Sequence, residues 1–274
     1  MVMVERGPWK WSMDGYLVQN MDLILNKAIP NKWDCVAIIF GKEGSGKSTL
    51  ATQLCAYTDP GFDMPLCVFT PQQFLKVCDE CREKSAIQWD EAISGATAQQ
   101  QGNEISQAII SRLTTIRKKR LKIFVCFPYL HMLNKYFVSR CLFSVFVYAK
   151  GFDKRGYMKY YNQRKTEVLY ELMKNKYIYS PLTAIRKVTP NFFCNFPDQF
   201  CLPEKEYDRL KEASTKIEVK PNKYDMKWRS KLVLLLNYMK KKHDITQTEL
   251  GEAIGMPKGN ISVLMRSELA EDDL

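Results

Sequence analysis

The sequence predicts an α/β fold, a mostly parallel sheet covered by helices, followed by a small all-α domain. Three observations predict it. Largely apolar runs of strand length (DCVAIIF, PLCVFT, SAIQWD, LKIFVCF and LFSVFVYA) alternate with helical patterns between Asp34 and Tyr177. The first run passes directly into the glycine-rich stretch GKEGSGKS and then into a helix. Near the C-terminus, TQTELGEAIGMPKGNISVLM has short helical periodicity on either side of Gly255.

Taken in order, residues 1–33 are a lead-in with three tryptophans, Trp9, Trp11 and Trp33. Residues 34–177 form the strand-and-helix core. Its last strand leads into YAKGFDKRGYMKYY, which predicts a hairpin turning at Asp153 to Gly156 and an antiparallel edge. Residues 178–227 contain five prolines and little periodicity, as an extended connector would. Residues 228–274 form the helical C-terminal domain. The 274 residues are enough for a core, and a 46% hydrophobic content argues against disorder. No apolar stretch is long enough to span a bilayer, and the N-terminus lacks a signal-peptide pattern, so the expected location is cytoplasmic, without membrane attachment. Nine scattered cysteines suit reduced core residues; Cys78 and Cys81 have zinc spacing, but no second close pair or neighbouring His completes a site.

Gly41-Lys42-Glu43-Gly44-Ser45-Gly46-Lys47-Ser48 fits the phosphate-loop pattern at every position. Gly41, Gly44 and Gly46 let backbone N–H groups curl around phosphates, with Ser45 in the same loop and the helix N-terminus adding positive potential. Lys47 is expected at the β- and γ-phosphates, Ser48 on Mg²⁺ and Thr49 at the α-phosphate, so the cofactors are ATP and Mg²⁺. The strand AIQW ends on Asp90 and Glu91. Asp90 is the second expected magnesium group, and Glu91 the base for the attacking water. No guanine-reading N-K-x-D motif and no clustered acids of a nuclease follow.

These motifs, with LKIFVCF after the acidic pair, resemble the additional-strand P-loop ATPases: the RecA-like, AAA+ and FtsK–HerA group. Small ATPases of viruses, phages and plasmids are the nearest part of it, among them Zot-like and genome-packaging members. The resemblance implies a RecA-like core, a homo-oligomer or ring, and an arginine from one subunit completing the neighbour's site, with Arg140 and Arg117 as candidates. A polar sensor residue is expected after LKIFVCF; FPYLHMLN departs from that and leaves His131 and Asn134 in its place. The stretch KEGSGKS also compares with ParA-type ATPases through Lys42, although Glu43 and Glu91 depart from them.

The formal net charge is +11, and residues 112–187 hold 18 Lys and Arg against three acids, interleaved with aromatics. This composition suits contact with DNA, first through Arg117, Lys118, Lys119 and Arg120, then through Lys154 and Arg155. The C-terminal stretch resembles repressor-like helix-turn-helix domains. Thr246 would cap a helix with Leu250 and Ala253 inward, and Ile261 and Leu264 would face inward on the next. Lys258, Asn260, Ser262 and Arg266 would face DNA. The leading expectation is an ATP-driven DNA motor for translocation or genome packaging. A replication helicase or loader, and an ATP-switched DNA-binding regulator or partition protein, are the alternatives. A small-molecule kinase explains neither the basic belt nor the C-terminal pattern.

Overall fold

The computed structural model describes residues 1–90, 104–151, 154–175, 181–215, 232–233, 235–239, 242–243, 245–254 and 260–261. The chain divides into two compact units, Met1–Thr215 and Lys216–Leu274.

The first unit opens with a hairpin of β1 (Val2–Arg6) and β2 (Trp9–Met13), then helix α1 (Gly15–Leu23), whose N-terminus the Asp14 carboxylate caps. Trp11, Met13, Leu17 and Met21 are buried in one cluster with Cys35, Leu50 and Leu54. The lead-in is therefore part of the core.

Five parallel strands follow: β3 (Cys35–Phe40), β4 (Cys67–Val68), β5 (Ala86–Trp89), β6 (Lys122–Phe127) and β7 (Phe143–Lys150). Two more, β8 (Lys154–Asn162) and β9 (Phe192–Asn195), add antiparallel to them. The order across the sheet is β4-β5-β6-β3-β7-β8-β9, so β6 lies between the strand that leads into the glycine loop and the strand that ends on Asp90. Every residue of β3, β5 and β6 is buried, as strands covered on both faces require.

The helices are α2 (Lys47–Thr58), α3 (Pro71–Glu80), α4 (Glu104–Lys119), α5 (Lys135–Arg140), α6 (Gln163–Lys174), α7 (Pro181–Lys187) and α8 (Glu204–Thr215). Alternation along the strands separates two cores. Ala37 and Ile39 of β3 face a cluster with Leu50 and Leu54 of α2, whereas Val36, Ile38 and Phe40 face one with Ile109 and Leu113 of α4 and Leu169 of α6.

Two expectations need correcting here. The hairpin turn lies nearer the chain start than Asp153 to Gly156, because β7 runs to Lys150 and Lys154 already belongs to β8. The expected connector is largely folded: α7, β9 and α8 all belong to the first unit. Prolines punctuate these short elements instead of holding an arm extended, and Pro203 stands directly before α8.

In the second unit, α9 (Gln247–Ile254) has the cap expected at Thr246, and it takes the form of a capping box: the Thr246 hydroxyl accepts from the Glu249 N–H at 3.3 Å, and the Thr246 N–H donates to the Glu249 carboxylate at 2.8 Å. That hydrogen bonding lowers the Glu249 pKa. Val233, Leu236, Leu250 and Ile261 form a small buried cluster, as the periodicity of Leu250 and Ile261 suggested. Ala253 is exposed, not inward. Asn260 is exposed, while Lys258, Ser262, Leu264 and Arg266 lie outside the described residues.

Candidate nucleotide site

The glycine loop sits at the C-terminal end of β3, with the Gly41 N–H bonded to the Phe127 carbonyl at 3.2 Å. Gly41 (φ 153), Gly44 (φ 72) and Gly46 (φ 100) all take positive φ. At Gly41 no other residue fits: a Cβ there would stand 2.0 Å from the Val147 carbonyl oxygen. Gly46 is the N-cap of α2, so the first N–H groups of that helix open into the loop. Ser45 is buried and donates to the Lys42 carbonyl at 2.8 Å; the Lys47 Nζ donates to the same carbonyl at 2.9 Å. These two bonds fold the loop over itself and keep the Lys47 ammonium within it. Thr49 follows in the first turn of α2 and is partly exposed.

Asp90 immediately follows β5 and is anchored by its N–H to the Val68 carbonyl at 2.9 Å. Although 42 residues separate them, the Ser48 hydroxyl donates to the Asp90 Oδ2 at 3.0 Å. Two hard oxygen donors converge at the mouth of the phosphate loop, a donor set that suits Mg²⁺. Asp90 is 2% exposed, and its Oδ2 accepts two more bonds, from the Tyr207 hydroxyl and from the Lys211 ammonium at 3.1 Å, both on α8. Burial, then the Asp90 charge, pushes the Tyr207 hydroxyl far above its ordinary value. Glu91 lies outside the described residues.

Tyr207 and Lys211 were missed by sequence reasoning, yet a signal existed. PEKEYDRLKEA starts with proline and two glutamates, as helix N-termini do, and places Tyr207 and Lys211 four residues apart on one face. Phe196 was also missed; it packs where a Cβ on Gly46 would point, at 3.3 Å.

The other expected site residues fall elsewhere. Arg140, expected to complete a neighbour's site, is instead tied to the buried Asp34 carboxylate and to the Leu113 carbonyl at 3.2 Å. Asp34 precedes β3, at the edge of the sheet opposite the glycine loop. Arg117 donates to the Lys32 carbonyl at 3.1 Å and lies over the Trp33 ring. Lys119 reaches the carbonyls of Cys78, Asp79 and Cys81 at the end of α3, and Arg120 pairs with Glu83 at 3.4 Å. Three of the four cations expected on DNA therefore close the end of the fold away from the loop; Lys118 is exposed. Lys122, counted in the same basic run, is interior: it donates to the Thr58 carbonyl at 2.6 Å, and burial lowers its pKa. Asn134 caps α5 through the Tyr136 N–H, which leaves it a structural role.

Lys154 and Arg155 are exposed at the start of β8, beside the end of β7, on the same edge as the glycine loop. A cavity of about 1510 Å³ adjoins the glycine loop; its wall includes Gly41, Tyr129, His131, Tyr148, Arg155 and Lys159.

A glycine loop capping a helix, a lysine within it, and a serine–aspartate pair at its mouth make the protein a P-loop NTPase. Residues 30–175 match the family described as Novel STAND NTPase 3, nSTAND3, and the chain belongs to that family. No curated protein matches the chain. Among solved structures, it is similar to the genome packaging NTPase B204 from Sulfolobus turreted icosahedral virus 2 in complex with ATP-gammaS: 11% identity, TM-score 0.35, covering 48% of this chain and 94% of that one. The N-terminal domain of zonular occludens toxin from Neisseria meningitidis is similar at 15% identity and TM-score 0.36, covering 64% of this chain and 97% of that one. The FIGL-1 AAA domain in complex with ADP is similar at 12% identity and TM-score 0.37, covering 77% and 90%.

Proposed function

We propose that this NTPase is an ATP-hydrolysing motor that acts on DNA as an oligomer, in the manner of a translocase or genome-packaging ATPase. The observation that carries the reading is the cationic end of the β7–β8 hairpin on the phosphate-loop edge of the sheet. Lys154 and Arg155 are exposed there, Lys150 and Lys159 lie over Tyr157 and Tyr148, and Val147 of the same strand packs on Gly41. A polyanion held by this hairpin is therefore one strand away from the loop that holds the nucleotide phosphates. The position of β6 between β3 and β5 supports an additional-strand, RecA-like core. The capped α9 and the buried Leu250–Ile261 cluster support a helix-turn-helix; its DNA face would be Lys258, Asn260, Ser262 and Arg266, as the sequence pattern sets them.

In the proposed chemistry the backbone N–H groups from Gly44 to Ser48 hold the phosphates, and Lys47 turns from the Lys42 carbonyl to the β- and γ-phosphates. Ser48 and Asp90 would hold Mg²⁺, which when bound neutralises charge on those phosphates. Glu91, next in sequence to the anchored Asp90, takes the proton of the attacking water. Reversing the hairpin charges tests the DNA assignment. Lys154→Glu with Arg155→Glu should weaken DNA binding more than about tenfold at low salt and flatten the salt dependence by about two phosphate contacts. Unchanged affinity and salt slope would remove the hairpin from the DNA path.

A specific contact favours a second reading, a nucleotide-switched DNA-binding regulator. Asp90 is held by α8, which ends at Thr215, the last residue before the second unit.

A further inference from the structure

We propose that Tyr207 and Lys211 form a latch on the magnesium carboxylate, and that Mg²⁺–nucleotide binding releases α8 by displacing Lys211 from Asp90. The inference rests on the reading of Ser48 and Asp90 as the magnesium pair and concerns how that pair is regulated.

The Asp90 Oδ2 accepts from Ser48 at 3.0 Å, from Lys211 at 3.1 Å and from Tyr207. A carboxylate oxygen has about two lone-pair sites, so this atom is already saturated. A magnesium ion, or its bound water, cannot reach it unless a donor leaves. Ser48 itself belongs to the ion's donor set. Tyr207 is 3% exposed and is clamped edge-on by Phe69, with ring centroids 5.3 Å apart, and by Phe200 at 4.8 Å. Lys211 differs in both respects. Its side chain is 30% exposed, so it has a route to solvent, and it is a cation, which a second cation on the same oxygen repels.

Lys211 thus takes the electrostatic role that a bound metal would have at Asp90. It neutralises a buried carboxylate that would otherwise be costly to keep ionised. The arrival of Mg²⁺ with nucleotide takes over that role and frees Lys211. Because Lys211 lies in the last two turns of α8, and α8 ends on the last residue of the first unit, the state of Asp90 bears directly on the segment from which the second unit continues. The latch converts occupancy of the metal site into order or disorder of α8.

The test uses the full chain, ATPγS as the nucleotide and Mg²⁺ as the ion, with amide hydrogen exchange of peptides covering residues 204–215. ATPγS in EDTA should leave exchange in α8 unchanged, and adding Mg²⁺ should raise it. Lys211→Met should show raised exchange already without Mg²⁺. It should also bind Mg²⁺ about tenfold more tightly, in a fluorescent-nucleotide titration, since one charge-assisted bond no longer competes. Lys211→Arg keeps the cation and should stay within about threefold of the wild type, which separates loss of the latch from damage to the fold. If ATPγS binds with Mg²⁺ but exchange across 204–215 does not change, or if Lys211→Met leaves the Mg²⁺ affinity unaltered, the latch is wrong while the phosphate-loop reading stands. If ATPγS does not bind the wild type at all, both are overturned.

Discussion

Arg140 separates two accounts of one residue. As a trans-acting arginine it would serve hydrolysis and leave the stability of its own subunit untouched. In the structure it neutralises Asp34, whose side chain is 7% exposed, and donates to the Leu113 carbonyl, so it joins α5, α4 and the base of β3. Removing one partner of a fully buried pair costs about 3–5 kcal/mol, because the other charge is left desolvated. Arg140 itself is 26% exposed, which lets water reach part of the vacated space. We therefore expect Arg140→Ala to cost about 2–3 kcal/mol, which in a unit of this size lowers Tm by roughly 5–10 °C. Urea denaturation measures the first figure and calorimetry the second. In the double variant Asp34→Ala with Arg140→Ala the loss should be clearly less than the sum of the singles, since neither charge is stranded. Hydrolysis per folded molecule should persist in Arg140→Ala below its melting range. Wild-type stability, together with lost turnover that mixing with Lys47→Ala subunits restores, would refute this reasoning and return Arg140 to the neighbour's site.

Other expectations can be checked alongside. Lys47→Ala should weaken nucleotide binding more than about tenfold, read by fluorescent-nucleotide titration, since it removes a charge-assisted bond to phosphate. Glu91→Gln should bind nucleotide as the wild type does and lose turnover; equal hydrolysis would take Glu91 out of the mechanism. Gly41→Ala should disrupt the loop, because its Cβ meets the Val147 carbonyl oxygen at 2.0 Å and positive φ adds strain of about 1–3 kcal/mol. A wild-type melting curve with intact nucleotide binding would contradict that. Alkaline pH should destabilise the fold. Burial raises the Tyr207 hydroxyl, and burial pushes Tyr57 up to about 12. Above pH ~10 the folded chain then holds protons that the unfolded chain releases, so stability is full below that point and falls as pH rises through it. Urea midpoints between pH 8 and 11 should show the decline, and Tyr207→Phe should make it shallower.

Much of the nucleotide site was legible in the sequence because it is local. The backbone demands of Gly41, Gly44 and Gly46 are met within one loop, and the strand Ala86–Trp89 announces Asp90 by ending on it. The five parallel strands were legible for a related reason: strands buried on both faces need unbroken apolar runs, and the runs containing Cys35–Phe40 and Lys122–Phe127 could hardly be anything else. What escaped was the part that depends on pairing between distant residues. RKKR is a basic run in sequence, but Lys119 and Arg120 find the end of α3 and Glu83, and charge counting cannot see partners 37 to 41 residues away. Lys122 is one of the 18 Lys and Arg counted over residues 112–187, although the strand carries it into the interior. Residues 178–227 were read as a connector because prolines interrupt the periodic stretches. The elements between them are short, and α8 owes its place to Tyr207 and Lys211 meeting Asp90 more than 100 residues earlier.

The motor assignment is decided by steady-state ATP hydrolysis of the full chain, measured alone, with single-stranded DNA and with duplex, with Glu91→Gln as the blank. A DNA motor gives hydrolysis above the blank that DNA stimulates, with the stimulation lost in the variant carrying Lys154→Glu and Arg155→Glu. Slow turnover that neither form of DNA changes would contradict the motor and leave the nucleotide-switched regulator in its place.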